Sequence, residues 1–153
     1  MHNIFLEDFY TRLRAWSNLK ETLKEQNADL KTICIEVDKF WQWAPLSAHY
    51  LHPDEIEKWP NPWELINDNN YCYYARALGI MYTLMLLGIT DLDFVVATDY
   101  TSEDTVLVLV DDAKYVLNYL PNSVVNNASN NFKITKKIDI NSLYTKIGAN
   151  NEN

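Results

Sequence analysis

Residues 71–89 read YCYYARALGIMYTLMLLGI, nineteen positions with Arg76 as the only charge. A membrane-spanning helix needs roughly 20 predominantly apolar residues. Here Arg76 and Gly79 fall mid-segment, and Asp68, Asn69, Asn70, Asp91 and Asp93 flank the stretch where Lys and Arg would mark a membrane boundary. It therefore reads as a helix buried on most sides at the centre of a folded domain, with no membrane partner. The helix is expected over residues 70–87, capped by Asn69 or Asn70 and stopped by Gly88. Cys72, Ala75, Gly79, Tyr82 and Leu86 share one face, whose small residues let a neighbouring sheet approach closely.

Upstream, Leu6, Phe9, Leu13, Trp16, Leu19 and Leu23 follow steps of three and four, which predicts an amphipathic helix over residues 4–26. Arg12, Arg14, Lys20, Glu21, Lys24 and Glu25 lie mostly off that stripe. A second helix is expected over Ala28–Trp43, from Leu30, Ile33, Cys34, Val37, Phe40 and Trp41, with Cys34 as a small core residue. Pro45 ends the pattern. A Pro-punctuated, Trp-rich connection follows over residues 46–69. In it His52-Pro53-Asp54-Glu55 reads as a helix start, and Trp59-Pro60-Asn61-Pro62-Trp63 as a rigid turn. A short turn over Trp63–Ile66 leads on toward the central helix.

Downstream of Gly88 the period falls from 3.6 toward 2. Asp93–Thr98, Thr105–Val110, Lys114–Tyr119 and Phe132–Ile140 read as strands, with Asp111-Asp112-Ala113 as a hairpin connection. The tail, Gly148–Asn153, is polar and expected to fray. The fold class is thus α+β: N-terminal helices and a central cysteine-bearing helix packed on a small antiparallel sheet, one domain over residues 1–153.

The 153 residues suit one domain, and 48% hydrophobic content supplies a core. With 21 acidic residues against 13 basic, a charge of -8, the chain lacks the cationic surplus that duplex nucleic acid requires. Cys34 and Cys72 form no disulfide framework and have no partners at zinc-finger spacing. Met1–Phe9 has neither a basic n-region nor a long apolar run, so no signal peptide is expected. The three glycines could hardly form a phosphate-cradling loop, and no cofactor is called for. His49-Tyr50-Leu51-His52 with Asp54 and Glu55 has metal-like composition, but Pro53 starts a helix just after it, and no metal site is assigned. Glu103, Asp104, Asp111 and Asp112 fall in turns and read as solvated, without an EF-loop pattern.

The order of elements over residues 62–119 resembles the transglutaminase-like branch of the papain-like cysteine fold. That family places a Cys at the start of a helix, here Tyr71-Cys72-Tyr73-Tyr74-Ala75-Arg76-Ala77-Leu78-Gly79, and ends it in Leu-Gly-Ile, here Leu87-Gly88-Ile89. It then has a strand, here Phe94-Val95-Val96-Ala97, a strand opening with the catalytic His, a hairpin, and a strand carrying Asp. The His position falls at about Thr105 and the Asp position at Asn118. Asn can still orient an imidazole. Thr cannot take a proton from a thiol near neutral pH. The three His (His2, His49, His52) all precede Cys72, so the family order is broken.

Two readings follow. In the first, the fold has lost its base and serves as a structural or protein-binding module. Trp41, Trp43, Trp59 and Trp63 are then contact residues for other proteins of a larger assembly. The Trp-Pro-Asn-Pro-Trp-Glu-Leu-Ile run also looks like proteins of tailed bacteriophages. That implies a tail or baseplate component, made in the host cytoplasm and carried in the virion. In the second, Cys72 is the nucleophile of an acyl-transfer enzyme. Asn118 orients, His49 or His52 is the base, and the Cys72 backbone amide is an oxyanion donor.

Overall fold

The computed structural model describes residues 3–47, 51–99, 101–120, 123–126 and 132–151. His2 and His49 lie outside them. Among the described residues five α-helices, α1 (Phe9–Glu25), α2 (Leu30–Gln42), α3 (Pro62–Asp68), α4 (Tyr73–Leu86) and α5 (Asn141–Asn151), accompany a five-stranded antiparallel sheet, on which α2 and α4 pack. Its strands are β1 (Leu92–Asp99), β2 (Asp104–Val110), β3 (Tyr115–Leu120), β4 (Ser123–Asn126) and β5 (Phe132–Ile138), in the order β4-β3-β2-β1-β5. Among the described residues no helix is long and apolar enough to cross a membrane.

The central helix is α4. Ten of its fourteen residues, from Ala75 to Met85, are buried. It begins three residues later than expected: Cys72 is its N-cap, and Asn69 is instead the left-handed C-cap of α3, φ 51. Its end is a Schellman turn around Gly88 (φ 85), with Ile89 N–H donating to Leu84 C=O at 3.0 Å and Gly88 N–H to Met85 C=O at 3.0 Å. The small face of α4 packs differently from the expectation. A Cβ on Gly79 would lie 2.6 Å from the Trp41 ring, so the close approach is to α2, not to the sheet. Just beyond, the Thr83 hydroxyl accepts the indole N–H of both Trp16 (2.9 Å) and Trp41 (3.0 Å) and donates to Gly79 C=O at 2.7 Å. One side chain thereby satisfies two buried donors and pins α1 and α2 onto α4.

Arg12 is buried rather than solvated, because α3 ends against α1. Arg12 donates to the carbonyls of Ile66 at 3.0 Å and Asn67 at 3.2 Å, which the last turn of α3 leaves unpaired. No α-helix starts at His52-Pro53-Asp54-Glu55; only a 3-10 turn, Ile56–Lys58, forms, and Glu55 makes no side-chain cap. The start lies at Asn61, whose side chain and that of Glu64 form a capping box with Pro62 in the first turn.

The sheet runs as expected from β1 to β3, with Phe94 opposite Val108 and Val108 opposite Leu117. The hairpin at Asp111, Asp112 and Ala113 has three consecutive left-handed residues (φ 58, 53 and 64). β4 is an addition to the expected strands, and the residues expected to fray from Gly148 continue α5 to Asn151. Leu143 on α5 is fully buried. The outer strand β5 is largely exposed, carries Lys133, Lys136 and Lys137, and its pairing with β1 shifts register between Val96 and Ala97.

Candidate functional site

Three elements bring the site together: the start of α4, the start of β2, and the middle of β3. Cys72 caps α4 with extended backbone (φ -119, ψ -176) and is only 3% exposed. Tyr73 and Tyr74, directly after it, line a cleft of about 660 Å³, with Val96 and Asp99 of β1, Glu103, Asp104, Thr105 and Val106 at the start of β2, and Asn118 and Tyr119 of β3. Pro53 contributes from the Trp-rich connection. Burial, and then the neighbouring Asp104, Cys72 and Asp54, hold the Tyr74 hydroxyl above its ordinary range, so these groups converge around one ring. Tyr73 is 59% exposed at the mouth.

The side-chain amide of Asn118 is committed to the wall of the cleft. Its Nδ2 donates to Val106 C=O at 2.9 Å and Tyr73 C=O at 3.5 Å, and its Oδ1 accepts from Gln42 Nε2 at 3.4 Å. Behind it, Asp38 Oδ1 accepts the Asn118 backbone N–H at 2.8 Å and Gln42 Nε2 at 3.3 Å. Burial pushes the Asp38 carboxyl up to about 6, against the lowering effects of these two donors and the Arg76 guanidinium. Arg76 in turn donates to Ala44 C=O at 2.6 Å and to Gln42. Sequence reading missed Asp38 and Gln42. The signal was present: Asp38 falls beside Cys34, Val37 and Trp41 on the apolar stripe of α2, where an acid is buried and must be satisfied.

Of the other predicted residues, His52 is exposed, and its carbonyl accepts the Trp59 indole N–H at 2.9 Å. Its neighbour Pro53 reaches the cleft. His49 lies outside the described residues. Trp41 and Trp59 are core residues rather than contact surface: Trp41 packs among Phe5, Phe40 and Tyr71, and Trp59 against Phe94 and Tyr74. Their indoles are large enough to fill the seams between helices and sheet, which is why they are buried. Trp63 is half-buried against Trp16, and Trp43 is 38% exposed. Cys34 is buried, and burial followed by Asp38 and Asp111 pushes its thiol up to about 12, which suits a packing residue.

No family model matches the sequence, and no curated protein matches it. Solved structures do. LapG of Legionella pneumophila in its calcium-bound form superposes with a TM-score of 0.70 at 19% identity, covering 86% of this chain and 76% of that one. The EGTA-treated form gives 0.69 at 19% identity, covering 86% and 74%. A third LapG structure gives 0.69 at 18% identity, covering 86% and 75%.

The fold is a transglutaminase-like core. Cys72 caps the central helix one residue before the cleft-lining Tyr73 and Tyr74. Thr105 lines the cleft at the opening of β2, and Asn118 lines it from β3. Among the described residues no group of three or more His, Cys, Asp or Glu is placed to hold a metal.

Proposed function

We propose that this chain is a catalytically degenerate transglutaminase-like domain that works as a structural or protein-binding module. The observation that carries the reading is the cleft's own chemistry. The residue lining it at the opening of β2 is Thr105, and the Asn118 amide donates to Val106 and Tyr73 and accepts from Gln42. A Thr hydroxyl cannot take the proton of a thiol near neutral pH, so a nucleophilic Cys72 would have to draw its base from elsewhere. The partner surface combines the tyrosine-lined cleft with the exposed Trp43. The wider assembly is a tailed-phage virion, in which the chain is a tail or baseplate component. That step rests on the texture of residues 59–66 alone.

Alkylation tests the reading. In native protein with iodoacetamide near neutral pH, peptide mass spectrometry is expected to find Cys72 labelled at least about tenfold more slowly than a free thiol. Labelling faster than a free thiol would overturn it and favour cysteine-dependent acyl transfer by Cys72. For the assembly, the chain should co-purify with a large particle, and Trp43→Ala should weaken that association while the domain stays folded.

A further inference from the structure

Among the described strand residues only Asn118 has a left-handed backbone (φ 65). The β2–β3 ladder runs from Val110 opposite Tyr115 to Val108 opposite Leu117 and stops there, and the β3–β4 register shifts across the same place. At Asn118, therefore, β3 leaves β2. Where the ladder ends, two backbone groups are served by side chains: Asp38 takes the Asn118 N–H, and Asn118 Nδ2 donates to Val106 C=O. The cleft lies where the strands part, with Thr105 and Val106 on one side and Asn118 and Tyr119 on the other.

We propose that Asp38 is a positioning residue for the cleft: from helix α2 it holds Asn118 in the left-handed conformation that parts β3 from β2 and ties the cleft wall to the start of α4. The geometry is that of a buried carboxylate, 1% exposed, on an irregular backbone donor. Strained backbone of this kind persists only where its surroundings over-determine it. The groups facing Asp38 are the Arg76 guanidinium from α4, the Asn118 N–H from β3, and Gln42 and the Cys34 thiol on its own helix; β4 carries no ionisable residue. That the cleft is a binding site rests on the function proposed above; that Asp38 shapes it does not.

Amide NMR and hydrogen exchange on the whole chain test this without any partner. In the wild type, the Asn118 amide resonance is expected to titrate with a midpoint near 6, the value to which burial raises Asp38, and Val106 and Tyr73 to follow. Asp38→Asn keeps an acceptor, so it should abolish the titration while Asn118 exchange stays within about threefold. Asp38→Ala should raise Asn118 exchange at least about tenfold while the amide of Leu23, in the core far along α1, is unchanged. If Asp38→Ala does not fold, Gln42→Ala, which removes the amide bridging Asp38 and Asn118, should raise Asn118 exchange several-fold in a folded domain. An Asn118 amide that does not titrate, or exchange unchanged in whichever of these two alanine variants folds, overturns the proposal. A titrating Asn118 in a chain that binds no partner would overturn only the binding reading.

Discussion

At the scale of single residues, a few buried polar groups do more than their number suggests. Thr83 is the clearest. Replacing it by Val keeps the shape and removes the hydroxyl, leaving the indole N–H groups of Trp16 and Trp41 without their acceptor. Each buried donor left unmade costs about 1–3 kcal/mol. Thr83→Val is therefore expected to lower unfolding free energy by about 2–4 kcal/mol in urea titration, although it adds apolar surface to the core. Asp38 gives a pH signature. The folded chain holds its proton to about pH 6, whereas an unperturbed carboxyl releases it near 3.8. The folded state binds more protons between those values, so the Asp38 contribution is full below 3.8 and is lost as pH rises through 6. Relative to the wild type, Asp38→Asn should remove a decline on the order of 3 kcal/mol across that window. The helix caps Asp8 and Asp29, lowered by their bonds to Thr11 and Thr32, act in the opposite sense in both proteins and cancel in the comparison. Thr105 and Asn118, the positions that the family resemblance and not periodicity singled out, both line the cleft. The roles of Asp38, Gln42 and Arg12 were not legible in the sequence. Asp38 and Arg12 answer backbone groups, and Gln42 a side-chain amide, on elements distant in the chain, which no local pattern records.

At the scale of elements, periodicity succeeded where burial is one-sided and failed where tertiary contacts decide. The stripes of α1 and α2 and the strands β1 to β3 were readable for that reason. β4 has only four residues, too short for alternation to register, and α5 is rich in Asn with Gly148 inside it, so local propensity argues against the helix that Leu143 anchors. The contact between α2 and α4 makes a sharper case. By propensity alone Gly79→Ala should strengthen a helix by about 1 kcal/mol. The added methyl would stand 2.6 Å from the Trp41 ring, which Phe5, Phe40 and Tyr71 hold in place. Overpacking of this kind costs about 1–3 kcal/mol, so Gly79→Ala is expected to destabilise the fold, with a lower thermal midpoint by calorimetry.

For the whole molecule, one layer of helices and one sheet share α4 as their common buried element, and the cleft opens at the edge where the sheet parts. This layout explains why the aromatic residues gathered before the cysteine turned inward. Trp59 packs on Phe94 of the sheet and Tyr74 of α4, and Tyr71 on Phe5 and Trp41, so both rings are buried. Asp99, Glu103 and Asp104, three of the 21 acidic residues, line the cleft. The outer strand β5 has a different consequence. An uncovered strand edge is a template on which further copies of a chain can add, and lysines and a bulge both spoil that template. Lys133, Lys136, Lys137 and the shifted register give β5 both defences. Changing the three lysines together to Thr should leave the monomer folded and bring on turbidity and thioflavin binding on concentration, while the parent chain stays clear. A chain so guarded can be packed in many copies at close quarters without seeding fibres of itself.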